Sequence, residues 1–140
     1  MAMGARKRIR IVSAEVLRQG RYLITQRRPE ATLPGLWEFP GGRVHEGESD
    51  HDALLRTLGD RVGCSAVVGE LAMELVHEYD GYTLTMAVYR CDMGIEEPVA
   101  RRVADIAWVH PDEFSRYAFP GADQQTVDQL LQEVERPDDA

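Results

Sequence analysis

The sequence predicts an α/β domain, a β-sheet packed with helices. Three observations carry this. Residues 36–64, LWEFPGGRVHEGESDHDALLRTLGDRVGC, pass from a short apolar strand through a glycine turn into a helix. Two pairs of β-rich segments meet at the turn dipeptides Gln19-Gly20 and Asp80-Gly81. A final helical segment follows Pro120-Gly121. The 140 residues suit one domain, 1–140, with a core over about 9–135, a basic lead-in and an acidic tail.

Residues 9–17 (IRIVSAEVL) are rich in β-branched side chains and read as the first strand; 21–26 (RYLITQ) alternate and read as its hairpin partner. Two prolines and a glycine mark 29–35 as a loop. Trp37-Glu38-Phe39 is a short strand, and Pro40-Gly41-Gly42 a tight turn where a backbone without Cβ can approach a ligand closely. Ser49, three residues before Asp52, starts a helix by taking an orphan N–H. Leu54, Leu55, Leu58 and Val62 form its apolar stripe, and Gly63 sits where a left-handed cap belongs. Residues 67–79 have an ambiguous period that a helix would also satisfy. The Asp-Gly that joins them to the alternating run 82–89 favours strand. A loop spans 92–104, a strand 105–109 and a proline-led helix start 111–114. The last helix spans about 124–135, and RPDDA at the end is expected to fray.

Composition excludes several classes. No apolar run approaches the roughly 18 residues of a membrane span, and residues 1–10 carry no apolar core of a secretory signal. A cytoplasmic location is expected. A net charge of −8 argues against non-specific nucleic-acid binding. The cluster Arg6, Lys7, Arg8 and Arg10 reads as a solvated lead-in. Cys64 and Cys91 read as isolated buried thiols.

Strand, glycine loop and capped helix in that order often cradle phosphate. Arg56, Thr57, Asp60 and Arg61 share another face of the helix, which suits either a phosphate or metal site or plain solvation.

The stretch resembles the Nudix box, G-x5-E-x7-R-E-U-x-E-E-x-G-U with U a bulky apolar residue. Gly42, Glu48, Arg56, Leu58 and Gly63 stand at its fixed places and Cys64 at its last apolar place. LWEFPGG is similar to the lead-in of MutT-type members, and WVHPDEF followed by FPGAD to their close, so the resemblance covers roughly 9–132. It implies an α/β/α sandwich with a mixed sheet and a loop–helix–loop box. It also implies that Arg27, at the end of the second strand, contacts substrate phosphates, as a guanidinium fork can. Glu38, Gly41 and Gly42 are then substrate-side residues. Glu48 and Arg56 pair to brace the loop. Asp123 reaches a nucleobase, with the N-cap of the last helix as its other reading.

The departures bear on activity. The family's three box glutamates, which hold divalent ions, are here Thr57, Asp60 and Arg61. Threonine is a poor ligand and arginine is none, while magnesium needs several hard oxygens. Asp60, with the Gly41 backbone carbonyl, is the remaining candidate for metal, and Glu48 and Asp60 are the remaining candidates for catalysis. A further family glutamate falls near Arg102, beside Arg101. Arg27, Arg61 and Arg102 are therefore expected to meet phosphate directly. The other reading of Arg61 is a pairing with Asp60 or Glu48. The expected function is MutT-like recognition of nucleoside di- or triphosphates with weak or lost hydrolysis. The alternatives are an active pyrophosphohydrolase using other carboxylates, with Mg2+ or Mn2+ as cofactor, or an interaction protein keeping the fold alone. The expected partner is a nucleotide or other phosphate-bearing small molecule, with no nucleic acid or membrane; a homodimer is allowed.

Overall fold

The computed structural model describes residues 7–135. Arg6 of the basic cluster and the acidic end RPDDA lie outside them. β1 (Lys7–Arg18) is the central strand. It pairs antiparallel with β2 (Arg21–Gln26) and with β4 (Gly41–Arg43), and parallel with β6 (Tyr82–Asp92). β3 (Trp37–Glu38) and β7 (Asp105–Val109) flank β2, and β5 (Val67–Tyr79) pairs with β6. The sheet is mixed, and α1 (Asp50–Val62) and α2 (Gly121–Glu135) complete the layers with a 3-10 turn at Pro111–Arg116.

Two-residue alternation on β1 divides the core. Val12, Ala14 and Val16 bury against Leu54, Leu58 and Val62 of α1. Ile11 turns to the opposite face, among Leu84, Met86 and Ala122. Phe39, Phe114, Val127 and Leu130 close a third cluster under α2. No helix of the described residues is long and apolar enough to cross a membrane.

The helix signals behave as their chemistry dictates. The Ser49 hydroxyl accepts the Asp52 N–H at 3.1 Å, and Gly63, at φ 70°, ends α1 by donating to the Gly59 carbonyl at 3.1 Å. Leu54, Leu58 and Val62 are buried and Leu55 half-buried. Residues 67–79 are strand, with two register shifts before Met73. Both cysteines are free and buried, and desolvation pushes the Cys91 thiol up to about 11.

Three expectations are corrected. The Pro40–Gly42 turn gives way to β4, because Gly41 pairs with Ser13. A Cβ on Gly41 would lie 2.0 Å from the Val12 carbonyl oxygen, so glycine admits this close pairing. The last helix begins at Gly121 rather than 124, which puts Asp123 inside the first turn and removes the N-cap reading. Thr57 is buried rather than on a solvated face, its hydroxyl donating to the Ala53 and Leu54 carbonyls.

Candidate active site

The cation-bearing side of the cavity is assembled by three elements. Arg27 follows β2, Glu38 ends β3 and Arg61 lies in the last turn of α1. Arg27 Nη1 donates to Glu38 Oε1 at 2.8 Å, and its Nε donates to the Thr32 carbonyl. Arg61 Nη1 lies 3.8 Å from Glu38 Oε2. Arg61 therefore faces Glu38, not Asp60 or Glu48. Gly42 lets β4 lie against α1, since a Cβ there would meet Thr57 Cγ2 at 2.8 Å and Arg61 Nη2 at 3.3 Å.

These groups open onto a cavity of about 480 Å³. Its floor is the β1–β6 face, where alternation presents Lys7, Ile9 and Ile11 beside Tyr82, Leu84 and Met86. Tyr79 and Tyr82 stack at one end, with ring centroids 5.0 Å apart and planes at 18°. Pro120, Ala122 and Asp123, at the start of α2, form a wall. Asp123 is buried, and Oδ1 accepts the Phe39 N–H at 3.2 Å. Burial, reinforced by the nearby Glu38 charge, pushes the Asp123 carboxyl well above the ordinary range.

Four basic side chains, Lys7, Arg27, Arg43 and Arg61, line the cavity against two carboxylates, Glu38 and Asp123. The protein carries −8 overall, so this excess of cations is local and suits an anionic ligand.

Arg27, Glu38, Gly41, Gly42, Arg61 and Asp123 thus share one cavity. Glu48, Arg56, Asp60 and Arg102 are not among its lining residues. Glu48 and Arg56 pair beside it, through two 2.8 Å hydrogen bonds. Arg102 sits beside the end of α1. Its backbone N–H donates to the Arg61 carbonyl at 3.1 Å, and the Arg101 N–H does so at 3.0 Å, so this segment caps the end of α1. Arg43, Thr32 and Leu33 were not singled out from sequence, and Lys7, read there as part of a solvated lead-in, lines the cavity instead. The alternation of β1 is the signal that would have exposed Lys7. The contributions of Arg43 and of the 29–35 loop depend on tertiary pairing.

The donor set fits the family's metal cage poorly. Thr57 spends its hydroxyl on backbone carbonyls, and Asp60 is exposed outside the cavity. Among the described residues no group of three or more His, Cys, Asp or Glu side chains is gathered to hold a cation.

A NUDIX domain model matches residues 12–129. The chain belongs to the Nudix family. Its relatives are MutT-like nucleotide pyrophosphohydrolases, a family that generally uses divalent metal ions. The CTP pyrophosphohydrolase of Escherichia coli (strain K12) is 32% identical over 117 residues, which cover 84% of this chain and 87% of that protein. An 8-oxo-dGTP diphosphatase of Haemophilus influenzae is 31% identical over 130 residues, covering 91% and 96%. The solution structure of the E. coli ORF135 protein matches with a TM-score of 0.78 at 28% identity, covering 99% of this chain and 100% of that one.

Proposed function

We propose that this domain recognises nucleoside di- or triphosphates, holding the polyphosphate with Arg27 and Arg61, and that its metal-dependent hydrolysis is weak or lost. The observation that carries this reading is Arg61. It occupies a place where the Nudix pattern has a carboxylate, and it brings a guanidinium to the cavity. Guanidinium groups bind phosphate oxygens directly and at short range. They do not lower the pKa of a water molecule as a bound divalent ion does. The stacked Tyr79 and Tyr82 and the apolar floor suit a nucleobase, with Asp123 at its polar edge.

The ligand in this reading is a small phosphate-bearing molecule rather than a nucleic acid. The test is thermal unfolding with a panel of nucleoside di- and triphosphates, with and without magnesium or manganese. Selective binding to the folded state raises the melting temperature. Stabilisation that persists in EDTA is the expected result; no shift with any nucleotide refutes the reading.

A second reading is favoured by the names of the relatives, CTP pyrophosphohydrolase and 8-oxo-dGTP diphosphatase. It is metal-dependent hydrolysis with carboxylates recruited from outside the box. Turnover that requires magnesium or manganese selects it.

A further inference from the structure

Glu38 stands between the two arginines assigned to phosphate. Each of its oxygens faces a different guanidinium: Oε1 takes a 2.8 Å hydrogen bond from Arg27, and Oε2 lies 3.8 Å from Arg61. The three side chains come from separate elements, so their meeting is a product of the fold. The Glu38 side chain is 14% exposed, and the buried Asp123 is its neighbour on the α2 side. A carboxylate and a phosphate present similar oxygens to a guanidinium fork.

We infer that Glu38 is an internal counter-anion, holding the place of a phosphate oxygen between Arg27 and Arg61, and that a bound polyphosphate displaces it. This inference rests on the reading of Arg27 and Arg61 as phosphate contacts. The geometry leaves a ligand something to gain. At 3.8 Å, Arg61 is ion-paired to Glu38 but not hydrogen-bonded. A phosphate carries more oxygens and more charge than one carboxylate, so it can satisfy both guanidinium groups at once. Lys7 and Arg43 line the same cavity and add attraction for a highly charged ligand.

The consequence is a charge threshold. A monophosphate gains little over the carboxylate already present, whereas a di- or triphosphate gains enough to displace it. Glu38 thereby selects for polyphosphates without touching the base.

The test is isothermal titration of Glu38→Gln and wild-type protein in EDTA at fixed ionic strength. The probes are inorganic tripolyphosphate, CTP and CMP. Glutamine keeps the shape and removes the charge. The expected result is that E38Q binds tripolyphosphate and CTP about tenfold more tightly, the scale of one charge-assisted hydrogen bond. Its preference for CTP over CMP narrows. Affinity equal to or below that of wild type overturns the inference.

Glu38→Asp keeps the charge but draws it back by one methylene. Should E38Q fail to fold, E38D carries the test: tighter tripolyphosphate binding than wild type supports displacement, and unchanged or weaker binding refutes it. Wild-type protein that binds neither tripolyphosphate nor any nucleotide refutes the underlying phosphate reading. Wild-type binding left unchanged by E38Q refutes the role of Glu38 alone.

Discussion

Arg56 grips Glu48 with two 2.8 Å hydrogen bonds, from Nε to Oε2 and from Nη2 to Oε1. The same Nη2 reaches the Arg43 carbonyl at 2.7 Å, and the His45 N–H donates to Glu48 Oε1 at 2.9 Å. One bidentate pair therefore ties α1 to the backbone of β4 and to the loop after it. Arg56→Ala is expected to lower the melting temperature by several degrees and to weaken nucleotide binding together with it. Lost binding at an unchanged melting temperature would contradict the bracing role.

The pair also predicts an acid response. The Arg56 guanidinium, helped by the His45 N–H, holds the Glu48 carboxyl at about 2, below its ordinary 4.5. The folded-state value is depressed, so the stabilisation is complete above pH 4.5 and is lost as pH falls toward 2. Denaturant midpoints measured across that window should fall for wild type and fall less for Arg56→Gln. Parallel curves would show that Glu48 does not contribute.

Two glycines should respond to alanine with opposite sign. At Gly41 the added Cβ would meet the Val12 carbonyl oxygen at 2.0 Å, so Gly41→Ala should cost about 3 kcal/mol or more, the upper range of overpacking. At Gly59, within α1, a Cβ meets nothing within 4 Å, so Gly59→Ala should stabilise by about 0.5–1 kcal/mol. Chemical denaturation of both variants checks the pair.

The local code of this chain was readable where one segment contains all the information. Ser49 and Gly63 end α1 by bonds within a few residues of themselves, so cap and stop follow from residue type. The fixed intervals from Gly42 to Gly63 likewise pointed to the fold. What depended on distant partners was not readable. Gly41 joins β1 as a strand because Ser13 is there to pair with it, and Thr57 is buried because Gly42 packs over it. Arg61 turns to Glu38, 23 positions away in sequence, rather than to its sequence neighbour Asp60. Arg102 spends its backbone on the end of α1, a role that its place in the family pattern does not reveal.

The two ends of the cavity should separate under mutation. Tyr79→Ala and Tyr82→Ala remove the aromatic pair and leave the arginines in place. Base stacking on an aromatic side chain contributes roughly 1–3 kcal/mol. Each variant should therefore lose about tenfold or more in nucleoside triphosphate affinity and bind inorganic tripolyphosphate as wild type does. Equal losses for both ligands would place the base elsewhere.

Arg61→Glu should show the converse. It removes a cation and sets a second carboxylate beside Glu38. Tripolyphosphate affinity should fall roughly ten- to a hundredfold, the range of one charge-assisted contact. Unchanged binding would mean that Arg61 does not meet phosphate.

The most direct test of the account is release of phosphate and pyrophosphate from a panel of nucleoside di- and triphosphates, with and without magnesium or manganese, on protein purified free of host hydrolases. The account predicts weak or no metal-dependent turnover, although the same nucleotides raise the melting temperature. Clear metal-dependent turnover that disappears in Asp60→Ala would contradict it, and would mean that a working metal site is assembled around Asp60 despite Thr57 and Arg61.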